Sequence, residues 1–85
     1  MEILQLATLR KKFGARLRQI RAQRRMTQEQ FAETLEISVD FLSLIERGRN
    51  APSFETLDKI AKRLRLSVAD LFSFNAAKWH WRAHS

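Results

Sequence analysis

The side chains of this chain that are best suited to chemistry are its bases, since 16 Lys and Arg against 9 Asp and Glu give a net charge of +7. Their spacing is uneven: residues 1–25 hold eight bases and one acid, whereas residues 26–46 hold five acids and no base. The bases resume at Arg47 and Arg49. This balance favours a polyanionic partner, although charge on surface helices also serves solubility. The chemistry that it indicates is the binding of anionic groups.

The chain offers little for catalysis or for metal binding. It has no cysteine, so neither a disulfide framework nor a thiolate metal ligand is available. His80 and His84 have the i, i+4 spacing of a helical metal pair, yet no third ligand accompanies them, and a zinc site needs three or four. The serines have no suitably placed base to activate them. The sequence therefore predicts no enzyme, no metal site and no cofactor.

The middle of the chain predicts two short helices joined by a tight turn. Thr27 and Gln30 have the spacing of a capping box, in which each side chain satisfies the other's backbone amide, so that a helix begins near residue 28. The turn lies at residues 36–37. Ser38 then caps a second helix, which runs to Arg47 and stops at the glycine that follows.

The second of these helices has two different faces on a helical wheel. The core face carries Leu42 and Ile45, and the opposite face carries Asp40, Ser43, Leu44 and Arg47. Because one face can pack while the other stays free, the free face is predicted to be a docking surface. Two helices around a tight turn, with the second presented in this way, are usually a device for reading duplex DNA.

The whole chain predicts a single all-α domain over residues 1–85, with five helices and no strand. Its core covers about residues 8–72, and residues 73–85 form a C-terminal tail. Gly14 is expected to weaken the first helix slightly. Ser53 caps a fourth helix, and Ser67 starts a short fifth one. The apolar residues expected in the core of helices 1 and 4 are Leu6, Leu9, Phe13, Leu17, Ile20, Leu57, Ile60, Ala61 and Leu64.

From about Phe13 to Phe72 the chain resembles the phage-repressor and Cro-like helix-turn-helix transcriptional regulators, the xenobiotic-response-element type. The resemblance is carried by Arg21, Thr27-Gln28-Glu29, Phe31-Ala32, Leu35, Ile37-Ser38, Leu42-Ser43, Ile45-Glu46-Arg47-Gly48, Pro52-Ser53, Leu57 and Ile60-Ala61. It implies a compact five-helix, lambda-repressor-like domain with the helix-turn-helix at helices 2 and 3. It also implies sequence-specific binding of double-stranded DNA, with a recognition helix at about residues 39–47 in the major groove.

The resemblance also implies roles for particular residues. Arg21 and Glu46 match a scaffold pair that holds the recognition helix against helix 1. Gln28 matches a side chain that grips a phosphate at the start of helix 2, where the helix dipole assists. A second interpretation, as solvated loop, stays open for Arg47, Arg49, Asn50 and the helix 4 amides near Ser53 and Phe54. The residues expected to contact phosphate are Thr27, Gln28, Arg47, Arg49, Asn50 and Ser53.

The positions that match the family's base-contacting residues are unusual in composition. They are Ser38, Val39, Asp40, Ser43 and Leu44. None is Arg, Lys, Asn or Gln, so the common bidentate contacts to guanine and adenine cannot come from them. Specificity is therefore expected to depend on DNA shape, on the phosphate contacts and on the spacing of two half-sites. Phe41 and Leu44 are open to the alternative that they lie partly in the core or face a partner.

The last part of the chain contains a group of apolar residues that predicts self-association. A homodimer would place two recognition helices about 34 Å apart and so match an inverted repeat in the DNA. The same apolar residues could instead fold back over helix 1. The residues predicted for the dimer interface are Leu71, Phe72, Phe74, Trp79 and Trp81.

Two further hypotheses are set beside DNA binding. The acidic and apolar recognition face also suits a protein-interaction module of the same fold, a partner of another regulator or of a toxin with little affinity for DNA. An RNA-binding or catalytic role has no stacking platform or reactive cluster to support it. No signal peptide, membrane span or small-molecule site is evident, so we expect a cytoplasmic protein.

Overall fold

The computed structural model describes residues 2–74, with side chains from residue 8 onward, and this part holds five helices and no strand. The predicted all-α architecture is confirmed. None of the helices in the described part has the length and hydropathy to cross a membrane. The helices are α1 (Glu2–Gln23), α2 (Gln28–Leu35), α3 (Val39–Glu46), α4 (Phe54–Leu64) and α5 (Val68–Leu71).

Hydroxyl side chains begin four of the five helices. Thr27, Ser38, Ser53 and Ser67 each accept a hydrogen bond from the backbone amide three residues later. Each bond satisfies one of the amides that a helix N-terminus leaves without an intrahelical partner. The capping box predicted at Thr27 is present in full. These local bonds explain why the predicted helix starts are confirmed to within a residue.

The ends of α2 and α4 could not be predicted from the local sequence pattern alone. Glu36 and Arg65 adopt left-handed backbone conformations, with φ of 60° and 58°. Such angles are uncommon for side chains other than glycine, asparagine and aspartate. Each of these turns carries a return hydrogen bond to the helix before it, and the chain can then enter the next helix at an angle. Helix α3 ends at Glu46, one residue earlier than predicted, with Arg47 as its C-cap.

Helices α1 to α4 enclose the core, and α5 closes one end of it. Phe13, Leu17 and Ile20 of α1 are buried, which confirms the predicted stripe along most of its length. Leu9 was predicted wrongly: it is 44% exposed, because it lies at the edge of the body in a shallow groove with Phe54. The side chain of Leu6 lies outside the described residues. The side chains with almost no exposure are Leu17, Phe31, Leu35, Leu42, Ile45, Ile60, Leu64 and Leu71.

The end of the described chain packs back onto α1. Leu71 is fully buried within its own protomer, so its assignment to a dimer interface is wrong: the side chain has no surface left to share. The ring of Phe72 lies 5.1 Å from that of Phe13 and 5.7 Å from that of Phe74, centre to centre. Both remain partly exposed. The other two residues of that prediction, Trp79 and Trp81, lie outside the described residues.

Several basic side chains have a structural use. Arg24 donates to the carbonyl of Leu64 at 2.7 Å, at the end of α4, and Arg63 donates to the carbonyl of Thr34 at 2.8 Å, near the end of α2. Carbonyls at helix C-termini lack an intrahelical donor and carry partial negative charge, so cations stabilise them. Arg16 similarly donates to the carbonyl of Asp70. Part of the positive charge therefore joins helices together and is not free for a polyanion.

Gly14 allows α1 to approach the end of α3 closely. It is buried, and a Cβ added at this position would overlap the backbone carbonyl oxygens of Ile45 and Glu46. The sequence suggested that this glycine only weakens a helix. The structure shows that the contact between α1 and α3 has room for a hydrogen atom and not for a methyl group.

We predict that Gly14→Ala destabilises the domain by about 1–3 kcal/mol or more, because one of the two helices must move away from the other. Helix propensity alone gives the opposite sign, since alanine is preferred to glycine by about 1 kcal/mol in a helix interior. Urea unfolding monitored by circular dichroism measures the difference. Ala22→Gly, at an exposed position of the same helix, calibrates the propensity effect. A more stable Gly14→Ala protein would show that the close contact is absent.

Candidate nucleic-acid interface

The outward face of α3 combines exposed and half-buried side chains. Asp40 is exposed and Val39 is 36% exposed, while Ser43 and Leu44 are partly buried. Leu42 and Ile45 on the opposite face have no exposure. This confirms the two faces predicted from the helical wheel. The helix therefore presents a narrow surface that another molecule can reach.

Two residues at the start of α3 have structural contacts of their own. The Ser38 hydroxyl accepts a hydrogen bond from the Phe41 amide at 3.0 Å, so it caps the helix as well as standing at the edge of the free face. Phe41 is half-buried and packs against the core. The alternative that assigned Phe41 partly to the core is thus confirmed.

The Arg21–Glu46 pair holds α3 against α1. Arg21 Nε lies 2.8 Å from Glu46 Oε2, and Arg21 Nη2 lies 3.0 Å from Glu46 Oε1. The carboxylate side chain is 2% exposed and the guanidinium side chain 20%. The hydrogen bonds to Glu46 raise the pKa of Arg21 above its ordinary value, against the opposing effect of burial. This two-pronged geometry is the strongest form of an Arg–carboxylate contact, and it confirms the predicted pair.

Gln28 joins the same cluster, which the sequence did not predict. Its Nε2 donates to Glu46 Oε1 at 3.0 Å, so the first turn of α2 is bonded to the last turn of α3. A side-chain amide nitrogen carries two hydrogens. One can therefore bind Glu46 while the other is directed to a second acceptor such as a phosphate oxygen. No local motif signals a bond between residues 18 positions apart.

The other residues expected to contact phosphate are divided between two uses. Some side-chain oxygens accept hydrogen bonds from backbone amides of their own turn and so shape the backbone; these are Thr27, Asn50 and Ser53. The donors left for an anion are the guanidinium groups, the backbone amides, the side-chain nitrogen of Asn50 and the hydroxyl hydrogen of Thr27. Arg47 and Arg49 are both exposed, and Arg47 Nε lies 3.3 Å from the Ser43 carbonyl one turn earlier. The structure thus places Arg47 at the end of the free face of α3.

The described residues include no group of three His, Cys, Asp or Glu side chains able to hold a metal ion. His80 and His84 lie outside the described residues.

Known proteins resemble this chain in sequence and in fold. A helix-turn-helix family model, HTH_3, matches residues 17–71. The HTH-type transcriptional regulator DdrOP3 of Deinococcus deserti is 42% identical over 60 residues, which cover 71% of this chain and 46% of that protein. The immunity repressor protein of Bacillus phage phi105 is 41% identical over 56 residues, which cover 66% of this chain and 39% of the repressor. The chain therefore spans less than half the length of these two relatives.

A solved structure agrees with these matches. The clp gene regulator ClgR from Corynebacterium glutamicum superposes with a TM-score of 0.71 at 37% sequence identity. The superposition covers 89% of this chain and 81% of that one. Sequence and backbone thus agree over most of this chain.

We predict that Arg21→Ala destabilises the domain by about 3 kcal/mol, because it leaves the buried Glu46 carboxylate without its cation. This is the lower end of the range for breaking a buried pair, since Arg21 itself is partly exposed. Arg21→Lys retains the charge without the two-pronged contact, so its stability should lie between those of wild type and Arg21→Ala. Thermal and urea unfolding give the values.

A double variant serves as the control for that experiment. Arg21→Met combined with Glu46→Met removes both charges, and it should recover most of the loss because no buried charge remains unpaired. A loss below about 0.5 kcal/mol for Arg21→Ala, the usual size for a surface substitution, would contradict the role given to the pair.

Proposed function

This chain belongs to the helix-turn-helix family HTH_3, whose model matches residues 17–71, and on that premise we propose that it is a transcriptional regulator that binds duplex DNA at specific sequences. The relatives named above are transcriptional regulators and a repressor, and none of the three is named as an enzyme. The proposal implies a cytoplasmic protein, since its partner is duplex DNA.

The observation that carries the proposal is the free face of α3 held rigidly by the Arg21–Glu46 contact. A helix presented in this way fits the major groove, which is about 12 Å wide. Gln28, at the first turn of α2, lies beside the same cluster and can donate to a backbone phosphate where the helix dipole favours an anion. The side chains expected at base edges are those of Ser38, Val39, Asp40, Ser43 and Leu44.

Direct reading of bases by this face is limited in chemistry. Asp40 can accept from the N4 amino group of cytosine, and Val39 and Leu44 can contact thymine methyl groups. Serine hydroxyls discriminate weakly, because they both donate and accept. The proposed specificity therefore depends strongly on the shape and deformability of the DNA. The phosphate contacts at Thr27, Gln28, Arg47, Arg49, Asn50 and Ser53 fix the register.

We extend the proposal to a homodimer that binds an inverted repeat. A domain of this size buries a small core, and self-association is a common way to add burial and to double the DNA contacts. Phe72 and Phe74 keep part of their rings exposed at the end of the described chain. Trp79 and Trp81 follow in the sequence and belong to the proposed interface. Leu71 no longer belongs to it.

A second candidate function rests on the composition of the α3 face. The first turn of this face carries an exposed acid, Asp40, and the neighbouring Val39 and Leu44 are aliphatic. A basic protein surface could pair with such a face, so a protein-interaction module of the same fold is the alternative. It predicts little binding of duplex DNA even at low salt, where binding to DNA is strongest.

The first test is selection of bound duplexes from a random pool, followed by titration of the enriched duplex. We expect enrichment of an inverted repeat. Gln28→Ala should weaken binding to all duplexes alike, because a phosphate contact carries no sequence information. Asp40→Ala should change the preference at one base pair, by about 1–3 kcal/mol. Absence of any enriched duplex would favour the protein-interaction alternative.

A matched control separates base reading from simple charge. Glu33→Ala also removes an exposed acid, but from α2 and not from α3. Both variants reduce electrostatic repulsion of DNA, and only Asp40→Ala should alter the selected sequence. Urea unfolding of Gln28→Ala must accompany the titration, since this variant also removes a hydrogen bond to Glu46. Equal base preferences in Asp40→Ala and wild type would remove Asp40 from the proposed readout.

The dimer has its own test, which needs no DNA. We expect the full chain to sediment as a dimer at micromolar concentrations, and Trp79→Ser with Trp81→Ser to weaken self-association at least about tenfold, because aromatic side chains are the commonest interface anchors. Val39→Ser removes an exposed apolar residue from α3 and should leave self-association unchanged. A wild-type protein that stays monomeric over the concentrations at which it binds DNA would refute the homodimer.

A further inference from the structure

A basic depression lies between α1 and the end of α3, and of the residues assigned above to DNA contact only Arg47 lines it. Lys11 and Arg18 of α1, together with Arg47, line this depression of about 300 Å³. Lys11 and Arg18 are two helical turns apart and so lie on the same face of α1. All three side chains are exposed. Two separate helices thus direct positive charge to one place.

The acid in this depression does not cancel its charge. Glu46 is the fourth lining residue, but its carboxylate is bonded twice by Arg21 and once by Gln28. Its negative charge is therefore matched by the Arg21 guanidinium. Three bases remain without a matched acid, and a group with negative charge is the ligand that complements them.

Lys11 and Arg18 differ from Arg24 and Arg63 in that they have no structural use. Arg24 and Arg63 bond helix-end carbonyls. Within the part of the chain that the structure describes, Lys11 and Arg18 form neither a hydrogen bond nor an ion pair. Their charged ends are therefore available to a ligand without breaking a contact that holds the fold.

Two glycines fix the position of the depression. Gly14 lets α1 lie directly against the carbonyls at the end of α3. Gly48, with φ of 73°, lies against the backbone and stem of Lys11, where a Cβ would come within 2.8 Å of its Cγ. The stem of Lys11 is thus confined next to the loop that follows α3. The bases of α1 are thereby carried to the end of the recognition helix.

The depression continues the proposed DNA surface. Arg47 lies one turn after Ser43 and bonds to its carbonyl, and Gln28 donates a hydrogen bond to the lining residue Glu46. We propose that Lys11 and Arg18, together with Arg47, bind phosphodiester groups of the DNA strand beside the recognition helix. Helix α1 is then a second phosphate-binding element of the interface. This inference rests on the proposed function.

The charge of the helix-turn-helix itself requires such an element. Residues 26–46 carry five acids and no base, so α2 and α3 alone would repel a polyanion. Phosphate contacts supply most of the affinity of DNA-binding proteins. Bases next to the free face of α3 are therefore needed to offset the repulsion, and α1 provides the nearest ones on the side of Arg47.

The test is the salt dependence of binding to the enriched duplex, with Lys11→Met and Arg18→Met. Methionine retains an aliphatic stem and removes the charge. Each lost phosphate contact should reduce the slope of log K against log salt by about 0.9. Between 50 and 200 mM salt, the decline in affinity should then be about 3.5-fold smaller than for wild type.

Lys12→Met is the matched control. Lys12 is the neighbour of Lys11 on α1, but it lines a different depression with Arg16 and Phe74. The change in net charge is the same, so a general electrostatic effect would appear equally in all three variants. We expect Lys12→Met to retain the wild-type slope. Equal slopes in Lys11→Met, Arg18→Met and Lys12→Met would overturn the inference.

Duplexes with single neutral methylphosphonate linkages locate the contact. We expect one or two linkages at the edge of the half-site to weaken wild-type binding but to have little further effect on Lys11→Met or Arg18→Met. If every methylphosphonate linkage weakened binding of Lys11→Met and Arg18→Met as much as it weakens wild-type binding, the inference would be overturned even if the slopes changed.

The outcomes separate this inference from the proposed function. Suppose that wild type binds a specific duplex and that Gln28→Ala weakens this binding. If Lys11→Met and Arg18→Met then have the same salt slope as Lys12→Met, the proposed function stands and the role of α1 is refuted. If wild type enriches no duplex, both fail together. Thermal unfolding of each variant ensures that a change in slope does not come from loss of fold.

Discussion

The contact between Arg21 and Glu46 is the interaction on which the rest of the structure depends. It joins α1 to the last turn of α3 through two hydrogen bonds, and Gln28 adds a third from α2. Three helices therefore meet at one buried carboxylate. An ion pair in this position adds little net stability over an apolar contact of the same shape. What it supplies is orientation, because the planar guanidinium accepts the carboxylate in few geometries.

The parts of the fold that could be predicted are those encoded within a few residues. A hydroxyl side chain bonds an amide three positions later, so Thr27, Ser38, Ser53 and Ser67 mark helix starts directly in the sequence. The two faces of α3 follow from helical periodicity in the same way. The contact at Gly14 and the burial of Leu71 depend on how helices approach each other, which periodicity does not contain. The Arg21–Glu46 pair spans 25 positions and was predicted only through family resemblance.

The candidate site was predictable to a similar extent. The outward positions of α3 were identified correctly as a surface, but the local sequence did not reveal that oxygens of Thr27, Asn50 and Ser53 accept backbone amides of their own turns. The bases of α1 could be counted in the sequence. Some of these bases bond helix ends, as Arg24 does, and others remain unbonded among the described residues, as Lys11 does. Only the packed structure separates the two groups, because the packing decides which carbonyls each side chain can reach.

The separation of charge along the chain has a consequence for motion toward DNA. The bases are concentrated in residues 1–25 and the acids in residues 26–46, so the domain is a body with positive and negative charge on different helices. In the field of a polyanion such a body rotates until its positive end leads. Under the proposed function, the first encounter is made by α1 on the sugar-phosphate backbone, in a loose complex that can slide along the duplex. Under the same proposal α3 enters the groove afterwards, so a wrong sequence is released before this helix settles.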